Sequence, residues 1–132
     1  MSNVRYLSDE WISAIAEAVR LNDELQALAG SHGVGLTQVV TGTPRGDVTY
    51  HVQVRDGRIT FASGAATPED VRFTESWETA VAVATGELNA QEAFIKGAVK
   101  FSGNHQLLID SAELFAELNN VFEVVRERTD YR

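Results

Sequence analysis

The side chains with chemistry to offer are three histidines, a surplus of carboxylates and a few serines, and their spacing limits what each can do. His32, His51 and His105 are scattered along the chain. A helical zinc pair needs two ligands one turn apart, so no metal site is expected from them. His51 falls on the solvent phase of an alternating stretch and reads as a solvated side chain. Asp47, Asp56, Glu75 and Asp110 belong to an acidic chain with 19 carboxylates against 11 basic residues. General acid–base work needs two carboxyls held together with separated pKa values. Nothing in the spacing does that, and surface charge or helix capping is the plainer assignment. Ser76 and Ser102 lack the Gly-x-Ser-x-Gly elbow that exposes a nucleophile. Gly33-Val34-Gly35 follows a helical stretch and precedes a strand, the reverse of the order a dinucleotide-binding turn requires. The chain contains no cysteine, which excludes disulfides, a thiolate zinc site and a cysteine nucleophile. No cofactor is called for, and no catalytic residue stands out.

The elements that must position these residues follow from hydrophobic period. Ser8 is placed to cap a helix whose first turn carries Asp9 and Glu10, with Leu7 and Ile12 at the spacing of a hydrophobic staple. Trp11, Ile15, Val19 and Leu25 recur near helical period up to Gly30, a natural stop. The period then changes to two. Val34, Leu36 and Val40 suggest a strand closed by a turn around Pro44 and Gly46. Val48, Tyr50, Val52 and Val54 alternate with Thr49, His51, Gln53 and Arg55, and Asp56-Gly57 supplies a two-residue primed turn. Ile59 and Phe61 share one face of the return strand, and Val71 and Phe73 mark a fourth strand after the Thr67-Pro68 break.

Trp77, Ala80, Val81 and Ala84 stripe a helix that Gly86 ends. Asn89 and Glu92 open another at capping-box distance, with Ala93 and Phe94 inward and Gly97 as its stop. Val99 and Phe101 form a fifth strand closed by Gly103. A helical period then runs through Leu107, Leu108, Leu114, Phe115, Leu118, Val121, Phe122 and Val125. It fits one helix or two, with Asp110-Ser111 as the restart.

This order predicts an α+β fold with a five-stranded, mostly antiparallel sheet whose one buried face is covered by helices. At 132 residues the chain suits one domain, 1–132. A net charge of −8 repels nucleic-acid phosphates and anionic membrane surfaces. No apolar run approaches the roughly twenty residues that span a bilayer, and Met1 to Arg5 lack the apolar core of a secretory signal. The expectation is a soluble cytoplasmic protein with neither nucleic acid nor stable membrane insertion among its partners. The apolar share is 44%, spread over the helical stripes and one half-buried sheet. A gap between such layers makes a concave apolar site, and periodicity alone does not separate a filled gap from an empty one.

The stretch from Trp77 to Leu108 reads WETAVAVATGELNAQEAFIKGAVKFSGNHQLL. Its frame of Gly86, Leu88, Ala93, Gly97 and Gly103, with short helices on both sides of Gly86-Glu87-Leu88 and a strand ending Phe101-Ser102-Gly103, resembles the sterol carrier protein 2 family. Val71-Arg72-Phe73-Thr74 and the meander over 48–62 are similar as well. The resemblance covers residues 34–110, with the flanking helices matching more loosely. It is nearest to the short stand-alone bacterial members, whose first helix opens as Leu7 to Trp11 does here, and Asp130-Tyr131-Arg132 is not a peroxisomal targeting tripeptide.

The resemblance implies an apolar tunnel between sheet and helices that binds a sterol, fatty acid or fatty acyl-CoA and does no chemistry on it. The tunnel residues it implies are Trp77, Val81, Phe94, Val99 and Phe101, joined from the C-terminal helical region by Leu108, Phe115, Leu118 and Phe122. The last helix, Glu113 to Arg128, is longer than many members need, and its apolar stripe suits a lid or the seam of a homodimer. Two other functions stay open. One is a small pocket enzyme, an isomerase or cyclase acting on a steroid or polyketide, with its base among Asp47, Tyr50 and His51. An all-apolar cavity would reject it. The other is a module that presents a lipid substrate to a partner enzyme.

Overall fold

The computed structural model describes residues 4–30 and 33–131; His32, the first three residues of the chain's opening and Arg132 lie outside the described residues. In chain order the elements are β1 (Val4–Arg5), α1 (Asp9–Leu21), α2 (Asp23–Leu28), β2 (Val34–Thr43), β3 (Gly46–Arg55), β4 (Arg58–Ser63) and β5 (Val71–Ser76). They continue with α3 (Trp77–Ala84), α4 (Ala90–Ile95), β6 (Val99–Gly103), α5 (His105–Asp110), α6 (Ala112–Arg126) and β7 (Thr129–Asp130).

Local signals account for most of these boundaries. The Ser8 hydroxyl accepts from the Trp11 amide at 3.1 Å and so caps α1. The helix expected to run on to Gly30 is two helices, because Asn22 intervenes. Its Oδ1 accepts from the Leu25 amide at 2.9 Å, which ends α1 and caps α2 in one residue. The C-terminal helical stretch likewise divides at Ser111, the second of the two readings its sequence allowed. Asp56 and Gly57 take φ of 53° and 74°, the primed turn that sets Arg55 opposite Arg58.

The main sheet has the order β4-β3-β2-β5-β6. Three of its pairings are antiparallel; the central pairing of β2 with β5 is parallel, which makes the sheet mixed. This topology obliges the chain to cross back after β4, and residues 64–70 do so over the outer face. There the Ala66 amide donates to Thr37 Oγ1 at 3.0 Å and the Thr67 amide to Gln53 Oε1 at 2.9 Å. The crossing lies so close to β2 that a Cβ on Gly35 would stand 1.9 Å from the Pro68 carbonyl oxygen. Gly35 is therefore glycine because another backbone approaches it. A second sheet, β1 paired in parallel with β7, was not expected from the sequence. It exists because α6 stops at Arg126, short of the expected Arg128, and frees Thr129–Asp130 to pair with Val4–Arg5.

All six described helices serve one side. Val34, Val52, Val54, Ile59 and Phe61 of the sheet are buried with Ile15, Val19, Leu25, Leu114, Val121 and Val125 of the helices. Trp11 joins the layers, its ring 5.6 Å from Tyr50 and 6.0 Å from both Phe61 and Phe122. No helix among the described residues is long and apolar enough to cross a membrane.

Candidate functional site

Strand register decides which side chains face the helices. Gln38 pairs with Tyr50 on one side and Phe73 on the other, and Phe73 pairs with Phe101. One step along, Val40 pairs with Val48 and Glu75, and Glu75 with Val99. Side chains in strand register share a face, so these two rows belong to the helix-covered side together with Val52 and Leu36.

Between that face and the helices lie two adjoining cavities. The larger, about 740 Å³, is walled by Leu36, Val52 and Phe73 from the sheet, Phe94 and Ile95 from α4, Val99, and Leu108, Phe115, Leu118 and Phe122 from α5 and α6. The smaller, about 580 Å³, runs toward Tyr6, Trp11 and Tyr131 and opens among Asn89, Glu123 and Arg126. The two share Tyr50, Glu75, Val83, Asn119 and Phe122 in their walls, and this shared wall is the waist. Each volume lies within the range of small-molecule sites.

The structure brings six of the nine expected tunnel residues to the wall of the larger cavity: Phe94, Val99, Leu108, Phe115, Leu118 and Phe122. It places the other three elsewhere. Trp77, the first residue of α3, lies against the Tyr6 ring at 5.5 Å. Val81 packs half-buried against the core. Phe101 stands on the edge strand behind Phe73 and Phe94, at 5.3 and 6.4 Å, with the His105 ring 4.5 Å away. Phe101 keeps the inward face of β6 but lies beyond the cavity wall, one row past Val99, and a helix that begins at Trp77 points its first turn at the β1–β7 corner.

The waist is polar, which the sequence reading did not anticipate. Surface charge or helix capping is the sequence expectation for Glu75, yet it continues the phase of Val71 and Phe73 and so faces inward, half-buried. Gln38 Nε2 donates to Glu75 Oε1 at 3.0 Å. Gln38 in turn continues the phase of Val34 and Leu36. Extending each alternation by one step would have found both. Burial pushes the Glu75 carboxyl up to about 7. Burial, and then the charge of Glu75, holds Tyr50 above the ordinary phenol value. Tyr6 is raised by burial first, then by Tyr50, Glu75 and Tyr131.

The remaining candidates are engaged elsewhere. Asp47 accepts from the Gly42 amide at 3.0 Å, His51 Nδ1 lies 2.9 Å from the Gly64 carbonyl, Gln106 donates to Asp110 at 2.9 Å, and Ser76 caps α3. Among the described residues no group of three His, Cys, Asp or Glu is placed to hold a metal ion.

The chain is similar to known proteins in sequence and in fold. "Sterol carrier protein 2" of Arabidopsis thaliana is 38% identical over 58 residues, 44% of this chain and 47% of that protein. "Peroxisomal multifunctional enzyme A" of Dictyostelium discoideum is 37% identical over 73 residues, 55% of this chain but 16% of that protein. The chain thus spans less than half the length of either relative. A crystal structure of sterol carrier protein 2 superposes with a TM-score of 0.64 at 18% identity, covering 93% of this chain and 98% of that one, so the fold is shared. Residues 13–116 match the SCP-2 sterol transfer family, and the protein belongs to that family.

Proposed function

We propose that the chain acts as one lipid-binding unit, 1–132, which holds an apolar ligand in a tunnel made of the two adjoining cavities and carries it without altering it. The observation behind this is the wall of the larger cavity, where aliphatic and aromatic side chains from four strands and four helices line a space that the core does not fill. Burying an acyl chain gains about 0.8 kcal/mol per methylene, so a sixteen-carbon chain brings about 12 kcal/mol toward the ordering cost of association. Fit then matters more than any single contact, and a sterol, a fatty acid and a fatty acyl-CoA are all within reach. Loading requires part of the wall to move, and α5 with the Phe115 end of α6 is the part expected to open while the buried stripe of α6 stays in the core. Native mass spectrometry after incubation with palmitate, palmitoyl-CoA and a sterol is expected to show a one-to-one complex with at least one of them. A protein that emerges empty from all three is not a carrier.

The inward stripe of α6 supports a wall rather than a dimer seam, since Leu114, Leu118, Val121 and Val125 are buried and Val124 is the large apolar residue it exposes. A monomer is expected on gel filtration. The pocket-enzyme reading keeps one observation in its favour: the lining is not all apolar, and Glu75 resembles a carboxyl tuned for proton transfer. Recovery of the bound lipid with unchanged mass and unchanged double-bond position after prolonged incubation decides for carriage, and a changed product decides for catalysis.

A further inference from the structure

We propose that Glu75, at the waist between the cavities, is a polar anchor that selects ligands bearing an uncharged hydroxyl over free fatty-acid anions. The inference rests on the carrier reading and names the ligand chemistry within it.

Three features of the waist carry the argument. First, Glu75 is the one carboxylate common to both cavity walls, so a ligand that threads them passes beside it. Secondly, its flanking partners in the sheet row are Val40 and Val99. An acidic side chain among valines has no packing role that a valine would not fill better. Thirdly, among the described residues no cation is paired with it. The ion pairs among the described residues are Arg20–Glu17, Arg72–Glu69 and Lys96–Glu92. Arg126, which lines the smaller cavity, turns its guanidinium to the Thr85 carbonyl. Gln38 supplies one neutral hydrogen bond to Oε1. An unpaired carboxylate in an apolar space is costly, so a ligand group that donates to it gains that much more.

The groups around Glu75 narrow the choice of donor. Tyr50 and Tyr6, held as neutral phenols, are donors as well as acceptors. A hydroxyl satisfies both sides at once, donating to Glu75 and accepting from a phenol. An ammonium donates only, so it can engage Glu75 but cannot accept from a phenol. A carboxylate meets Glu75 as a like charge, which costs several kcal/mol at close range.

Two lipids that differ only at the head group test this. An equimolar mixture of 1-hexadecanol and palmitate is offered to the protein at pH 8, where Glu75 is mainly ionised, and the bound populations are read by native mass spectrometry. Wild type is expected to favour hexadecanol by about tenfold or more, as like-charge repulsion against palmitate requires. Glu75→Gln keeps the shape and the contact with Gln38, and it is expected to bring the two lipids within about threefold by raising palmitate and lowering hexadecanol. A wild type that takes palmitate as readily as hexadecanol overturns the anchor. So does a Glu75→Gln protein with the wild-type preference, or one that loses both lipids equally. Failure of both proteins to take up either lipid, or a sterol, overturns the carrier reading itself and the anchor with it.

Discussion

The two halves of one sheet face are treated differently. On the β4-β3-β2 side the inner residues Val34, Val52, Val54, Ile59 and Phe61 are all less than 5% exposed. On the β5-β6 side Phe73, Val99 and Phe101 are half-buried, and Phe94 and Ile95 above them are 45% and 82% exposed. Both halves alternate in the same way, so strand pattern does not separate them. Helix length does. At 1.5 Å per residue the 13 residues of α1 reach about 20 Å, whereas the 6 residues of α4 or α5 reach about 9 Å. The long α1 packs along β4, whereas α4 and α5 are too short to cover the other half, and α6 completes the wall of the space they leave. The closed half holds most of the core; the open half borders most of the larger cavity, to which Leu36 and Val52 of the closed half also contribute.

The largest effect expected from this contrast is a separation of stability from binding. Ile15 of α1 is fully buried on the closed side. Ile15→Ala is expected to cost about 2–5 kcal/mol in urea unfolding, by removing buried methyl groups from a close-packed core. Lipid affinity, measured under conditions where the variant stays folded, is expected to change little. Phe115 on the open side lines the larger cavity and is half-buried. Phe115→Ala is expected to cost about 1 kcal/mol in stability and to weaken lipid binding by about tenfold, because its ring covers ligand rather than core. Equal stability losses from the two substitutions would remove the distinction between the halves.

The next effect comes from the acid between them. Burial raises Glu75 from 4.5 to about 7, so the folded chain holds a proton that the unfolded chain has released between those values. The stability that Glu75 allows is fully present below pH 4.5 and is lost as pH rises through about 7. The loss is at most about 3 kcal/mol, reduced by whatever screening water in the cavities provides. Urea midpoints measured from pH 5 to pH 8 are expected to fall in wild type and to fall less in Glu75→Gln. Identical pH profiles would place Glu75 in open water and remove it from the waist.

How legible these halves were in the sequence follows from the same physics. The alternation at Val48 to Val54, the Asp56-Gly57 turn and the cap at Ser8 are local, and each lies where its neighbours require. The division at Asn22 was missed because a hydrophobic stripe runs through it unbroken, while the break depends on one side-chain oxygen. Gly35 had no local reason at all; its reason is the Pro68 carbonyl, reached only after the chain recrosses the sheet. The site was partly legible. Phe94, Val99, Leu108, Phe115, Leu118 and Phe122 converge on one wall because the family frame fixes the order of short helices and strands. Trp77, Val81 and Phe101 were carried over from the same frame, but their place relative to the cavity depends on crossing angles that a motif does not encode. Glu75 and Gln38 were passed over because a polar residue at an inward phase reads as an end of the pattern, although the phase itself continued.

The smallest expected effect lies at the joint between the halves. Ser111 separates α5, which walls the cavity with Leu108, from α6, which both walls the cavity and closes the core. It stands at the N-cap position, where replacing serine by alanine usually costs about 1 kcal/mol through loss of the cap hydrogen bond. Here the hydroxyl makes no cap bond, is fully buried and has no partner among the described residues. An unsatisfied buried hydroxyl is a cost rather than a gain, so the sign reverses. Ser111→Ala is expected to leave the melting temperature unchanged or to raise it, by about 0.5–1 kcal/mol of added stability. Ser111 lines neither cavity, so the variant is also expected to bind lipid as wild type does. A loss of about 1 kcal/mol would mean that the hydroxyl caps α6 after all, and a loss confined to lipid binding would mean that the joint sets the shape of the cavity wall.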